Sequence, residues 1–300
     1  MTLVCGATYL GAWIASVLAL YRLTGGSLVE PLFVLVIFGL FFPAIAFAAT
    51  RRLAPPIETI ARPRAELAAA LVYLVLFSLV VLGWGFSFLR AQTPPGRARE
   101  ILILVVKLAT MCLGPALLFR ALGSRAVPRS TLSVDSKLAL PAIALGILLL
   151  AFQAVFGRGL RDLSELHPAA STLAWAIPAA FVWLTLEAGL PEELLFRAVL
   201  QTRVAAVLRT EPGAIFVSAL LFGLAHAPGL YLRGGQLAEG LPGPPTVAWA
   251  AAYSVAIVSP AGLLFGTLWW RTHSFVLVVL LHAWMDLLPN LAPLIRTWTS

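Results

Sequence analysis

The sequence predicts an all-α, polytopic membrane bundle of eight or nine spans, and three observations support that class. The 300 residues are 60% hydrophobic and only 11% charged, against roughly 25% charged in a soluble domain. Mean hydropathy is +0.94 over the whole length, whereas a single anchor helix absorbs only about 20 apolar residues. Apolar stretches of about that length recur along the chain, without the roughly ten-residue alternation of a membrane barrel. Helices follow, because hydrocarbon offers an open backbone no hydrogen-bond partner. A water-soluble globule is excluded.

Nine spans are read, at 2–21, 32–50, 67–89, 101–119, 138–156, 172–196, 213–231, 246–270 and 274–295. The first begins two residues from Met1 without a basic leader or a small-residue cleavage site, so it reads as a retained helix. Thr24 to Ser27 turns the chain into the second span. Arg51-Arg52 through Glu66, with Pro55, Pro56 and Pro63, separates the second from the third; Thr93-Pro-Pro-Gly96 closes the third. Gly123 to Lys137 leads into the fifth. Gly229 to Pro245 holds five glycines and, with Pro228, four prolines, and reads either as a mobile lid or as a plain loop. Residues 1–160 read as scaffold helices and 161–300 as a catalytic core, within one membrane domain.

Twenty-one Lys and Arg against 13 Asp and Glu give a net charge of +8, yet 19 of the cations fall in loops or at span ends. That distribution is the topology signal of a membrane protein. No nucleic-acid partner is expected. With the amino terminus inside, alternate segments hold eleven cations inside and eight outside. Cys5 and Cys112 both lie in apolar runs, which leaves no disulfide framework and no cysteine metal knuckle.

Ionisable side chains at bilayer depth cost at least about 2.5–3.5 kcal/mol each, so those inside spans are functional candidates. They are Lys107, Glu187, Glu192, Glu193, Arg197, His226, His282 and Asp286. Only Lys107 precedes residue 185; it has no evident partner in the sequence and is expected to snorkel. Pro191 followed by two acids reads as a helix restart, and Glu193 with Arg197 is an i, i+4 pair. Glu192 sits roughly 100° around the helix from Glu193, out of easy reach of the same arginine. His226 lies far along an apolar run. His282 and Asp286, four apart, share a helix face. Each element alone has a structural reading; together they place polar groups on three spans at a cost that calls for a common site. Glu192, His226 and His282 are expected within about 3–6 Å of one another, one water's reach.

Glu192-Glu193-x-x-x-Arg197, Phe222-x-x-x-His226 and His282-x-x-x-Asp286, in that order on successive spans, resemble the three motifs of the CPBP family of intramembrane peptidases. This family includes the CAAX prenyl endopeptidases and the Abi-type bacterial proteins. The run Gly262 to Ser274 is similar to the family's approach to the third motif, and the resemblance covers about residues 172–290. It implies that Glu192 activates water, that His226 shares that water, that His282 and Asp286 stabilise the oxyanion, and that Glu193 and Arg197 hold the first motif's helix. Asp286 departs from the commoner asparagine. An amide donates to an oxyanion and an ionised carboxylate cannot, so Asp286 must be protonated, orient His282 or bind a metal.

Peptide hydrolysis needs a base for water and a donor for the oxyanion; glutamate with two histidines also suits an open zinc site. The expected function is therefore an intramembrane endopeptidase, glutamic or metallo in type, acting on a membrane protein or a lipidated peptide. No cofactor is taken as obligatory; zinc held by Glu192, His226 and His282 is the alternative. The expected location is a bacterial plasma membrane, in contact with the lipid bilayer. An ion- or proton-coupled transporter would use the same buried groups as a relay, but the paired halves with matching broken helices common in transporters are absent.

Overall fold

The computed structural model of the chain describes residues 1–53, 59–132, 135–233 and 244–299. Long helices follow in the order α1 (Thr2–Thr24), α2 (Val29–Thr50), α3 (Pro63–Gln92), α4 (Arg97–Ala121) and α5 (Ser136–Phe156). After a short helix α6 (Gly159–Leu166) come α7 (Ala170–Leu208), α8 (Glu211–Arg233), α9 (Val247–Thr272) and α10 (Phe275–Thr299). Among the described residues, every one of these except α6 is long and apolar enough to cross a membrane, and no strand occurs. The chain is an integral, multi-pass membrane protein, and each of the nine spans read from hydropathy has its helix. Pro55 and Pro56 of the first long loop, and most of the glycine- and proline-rich stretch read as a lid or loop, lie outside the described residues; Gly229 to Arg233 of that stretch continue α8.

Burial identifies the interior helices. In α9 and α10, 61% of the most apolar 18-residue window is buried in the protein, against 11% in α2. Helix α8 packs on α9, α3 and α1, while α10 packs on α7, α5 and α6. The large fully buried side chains Trp269, Phe196, Phe265 and Leu264 come from α7 and α9. Lipid removes the hydrophobic drive between helices, so close packing and polar contacts must hold them together.

Helix α7 departs from the sequence expectation twice. Pro191 does not restart it: the backbone stays helical through Gly189 (φ −56°, ψ −55°), with wide π-helical turns at Thr185–Gly189 and Leu194–Gln201 on either side of Leu190–Glu193. Such turns relieve the missing proline donor and often mark functional sites. The helix also runs on to Leu208 rather than ending near 196, because Arg203 is neutralised inside the protein. Arg203 Nε donates to Glu66 Oε2 at 3.2 Å, and both side chains are almost fully buried. The same guanidinium also donates to Ala126 O and Ala198 O and lies over the Phe119 ring. It is therefore not a loop cation, and the cation count used for orientation loses it.

Candidate active site

Two neighbouring glutamates on α7 point in different directions and meet different partners. Glu193 is fully buried. Its Oε2 accepts from Arg197 Nε at 3.1 Å and its Oε1 accepts from His282 Nδ1 at 2.7 Å, so one carboxylate ties α7 to α10. The sequence showed the Arg197 contact and missed the His282 one, because the two residues are 89 positions apart. Gly189 allows the close approach: a Cβ there would come within 2.5 Å of Val279 O on α10. The Nη1 and Nη2 atoms of Arg197 are buried without a hydrogen-bond partner among the described residues, and its charge lies 5.2 Å from the Phe222 ring centre.

With Nδ1 of His282 donating to a carboxylate, Nε2 faces the other two acids. Asp286 Oδ2 is 3.5 Å from it and Glu192 Oε2 3.8 Å. Both distances exceed an ordinary hydrogen bond and leave room for a reacting atom between the groups. The Glu192 side chain is 15% exposed, where Glu193 is at zero, so of the two only Glu192 meets water. The His282 ring stacks on Phe265 at 4.7 Å between centres.

His226 donates from Nδ1 to the Phe222 carbonyl one turn earlier, at 2.7 Å, which leaves Nε2 as the acceptor. Its ring packs 4.8 Å from that of Phe222, which in turn sits 5.0 Å from Phe196. His226 and Glu192 line a single cavity of about 240 Å³, together with Lys107, Glu187, Arg90 and Arg233. Lys107 is not a snorkelling side chain: its Nζ pairs with the Glu187 carboxylate and donates to the Glu187 carbonyl at 3.1 Å. The structure thus brings Glu192, His282 and Asp286 around one imidazole nitrogen, and Glu192 and His226 onto one cavity wall.

Among the described residues, no three His, Cys, Asp or Glu side chains are arranged to hold one metal ion. His282 donates from Nδ1 to Glu193, which leaves Nε2 as its available ligand atom. No step below passes through a metal.

Residues 174–288 match the family model described as Type II CAAX prenyl endopeptidase Rce1-like. No curated protein and no solved structure matches the chain. The matched stretch covers somewhat over a third of the chain and contains all three motifs. The matched stretch supplies Glu192, Glu193, Arg197, His226, His282 and Asp286, and over that length the chain is similar to the Rce1-like type II CAAX prenyl endopeptidases.

Proposed function

We propose that the protein is an intramembrane endopeptidase that uses Glu192 to activate water. The placement of Glu192 supports this best: it is the motif acid with access to the cavity, beside His226 and 3.8 Å from His282 Nε2. Water held between Glu192 and Nε2 of His226 gives a proton to the carboxylate as its oxygen attacks the peptide carbonyl carbon. The carbonyl oxygen takes the developing charge. His282, when protonated at Nε2, donates to it, with Glu193 fixing the ring through Nδ1 and Asp286 holding the Nε2 side. The tetrahedral intermediate then collapses, the C–N bond breaks, and the proton held by Glu192 goes to the leaving amine.

In this reading residues 1–160 are the scaffold and 161–300 the catalytic core, and the substrate is a membrane protein or lipidated peptide in a bacterial plasma membrane. Purified protein in lipid nanodiscs, incubated with a fluorogenic peptide library, tests it. Cleavage by wild type that is absent in Glu192→Gln is expected. Equal cleavage by the two proteins rejects the mechanism.

A further inference from the structure

Beyond the catalytic groups, two arginines lie on the wall of the same cavity, and one has an unusual seat. His226, Leu230 and Arg233 follow one another on one face of α8 at spacings of four and three, and all three line the cavity. Arg233 is half-buried. Its side chain folds back along α8, and Nη2 takes the space that a Cβ on Gly229 would need. Nη1 donates to Leu82 O on α3 at 2.8 Å, and the guanidinium lies 5.8 Å from the Phe86 ring centre. Gly229 is three residues past His226, so the charge stands about 5 Å along the helix from the histidine.

Among the described residues no carboxylate pairs with Arg233. The other arginine lining the cavity is Arg90, in the last turn of α3. Arg90 is itself loosely held. Its Nη1 is 3.9 Å from Glu100 Oε1, and that oxygen already accepts from Arg99 Nε at 3.3 Å. The two guanidinium groups share the cavity wall with apolar Leu82, Phe86, Ile103 and Leu230 and with two acids, Glu187 and Glu192; Glu187 is already paired with Lys107, so positive charge on the wall exceeds the negative and favours an incoming anion. A guanidinium fork suits a carboxylate in two-point contact. The cavity, at about 240 Å³, has room for a short stretch of peptide.

We infer that Arg233, seated over Gly229 and joined by Arg90, is a positioning residue that holds a carboxylate of the peptide substrate about one helical turn from the bond on which Glu192 and His226 act. This rests on the endopeptidase reading above. That carboxylate belongs either to an acidic side chain beside the cleaved bond or to a free chain terminus.

Matched fluorogenic peptides distinguish these sources: glutamate against glutamine next to the cleaved bond, and free acid against amide at the terminus. Wild type should prefer the acid of one pair, by roughly 10–100-fold in KM with kcat little altered. Arg233→Gln should collapse that preference, and Arg233→Lys should restore part of it. Gly229→Ala, which keeps the charge and removes its seat, should weaken the preference as well. Binding of the same pairs to Glu192→Gln protein, read by fluorescence anisotropy, should show the same acid preference without turnover. Glu192-dependent cleavage with no acid preference in either pair overturns this inference and leaves the endopeptidase reading intact. Loss of acid and amide peptides alike in Arg233→Gln shows a merely structural role. Competition by anionic lipid in the nanodisc, with no effect of peptide charge, assigns the arginines to headgroups and overturns the inference too. Absence of both cleavage and acid-selective binding removes both readings.

Discussion

Replacing each of the two adjacent glutamates on α7 by glutamine should give opposite results, because the two carboxylates meet different partners. The Glu193 carboxylate accepts two donors, Arg197 Nε and His282 Nδ1, one on each oxygen, with no water access. A glutamine amide has one acceptor oxygen, so its NH2 would confront one of the two donors. The arginine also keeps a buried charge with no counter-ion. Removing one member of a buried pair costs about 3–5 kcal/mol, a fall of roughly 6–15 °C in unfolding temperature for a chain of this size. Glu192 makes no hydrogen bond among the described residues and is partly exposed, so Glu192→Gln should change stability by less than about 1 kcal/mol. Thiol-reactive dye uptake on heating reads unfolding, since Cys5 is buried in α1. Peptide cleavage reads activity. Glu192→Gln should be stable and dead, Glu193→Gln unstable and impaired. Adding Arg197→Met to Glu193→Gln should recover part of the stability, because the orphaned charge is gone, without restoring cleavage, because His282 remains unanchored. The reasoning fails if Glu193→Gln unfolds with wild type, or if Glu192→Gln is the less stable of the two.

Three further outcomes are expected. Asp286→Asn should keep or raise turnover, since an amide can donate toward the oxyanion where a carboxylate opposes it; loss of turnover, with wild type indifferent to a chelator, would remove the oxyanion role from the His282–Asp286 pair. Glu66→Gln should cost about 3–5 kcal/mol by removing the carboxylate that faces buried Arg203, with the turnover of the remaining folded protein unaltered when measured per active molecule. Gly189→Ala should lower cleavage by at least about tenfold, because a methyl 2.5 Å from Val279 O pushes α7 off α10 and a displacement near 1 Å is severe in a catalytic constellation; wild-type activity would show that the helices have slack there.

Spans were legible because lipid imposes one rule on every residue of a helix, so apolar length alone located α1 to α5 and α8 to α10. Helix α7 was cut short because hydropathy counts Arg203 as a charge, and the partner that neutralises it, Glu66, stands 137 positions away. Lys107 and Glu187 failed to connect for the same reason: both were marked as costly, but 80 residues separate them. Local pairs were readable, since i, i+4 spacing fixes a shared face; this gave Glu193 with Arg197 and His282 with Asp286. The contact across helices from Glu193 to His282 depends on how closely α7 and α10 pack, which Gly189 sets and no periodicity reveals. Arg233 lies beyond the seventh span read from hydropathy, and only the seat over Gly229 shows that it turns inward.

The polar core divides its charges in a way that bears on mechanism. Of the cations on the spans around the cavity, Lys107 and Arg197 are each matched to an acid, Glu187 and Glu193, while Arg90 and Arg233 stand in the last turns of theirs. What remains is Glu192 and Asp286, both directed at one nitrogen of His282. A purely structural network would be expected to close every pair, since an unmatched carboxylate at bilayer depth is costly. Among the described residues the motifs leave these two acids open, on side chains that are partly exposed. The open motif carboxylates therefore both belong to the His282–Glu192–Asp286 group, where protons must be taken up and returned, while the Lys107–Glu187 and Glu193–His282 contacts tie α4, α7 and α10 together around it. That partition separates the residues whose loss should unfold the protein from those whose loss should only silence it.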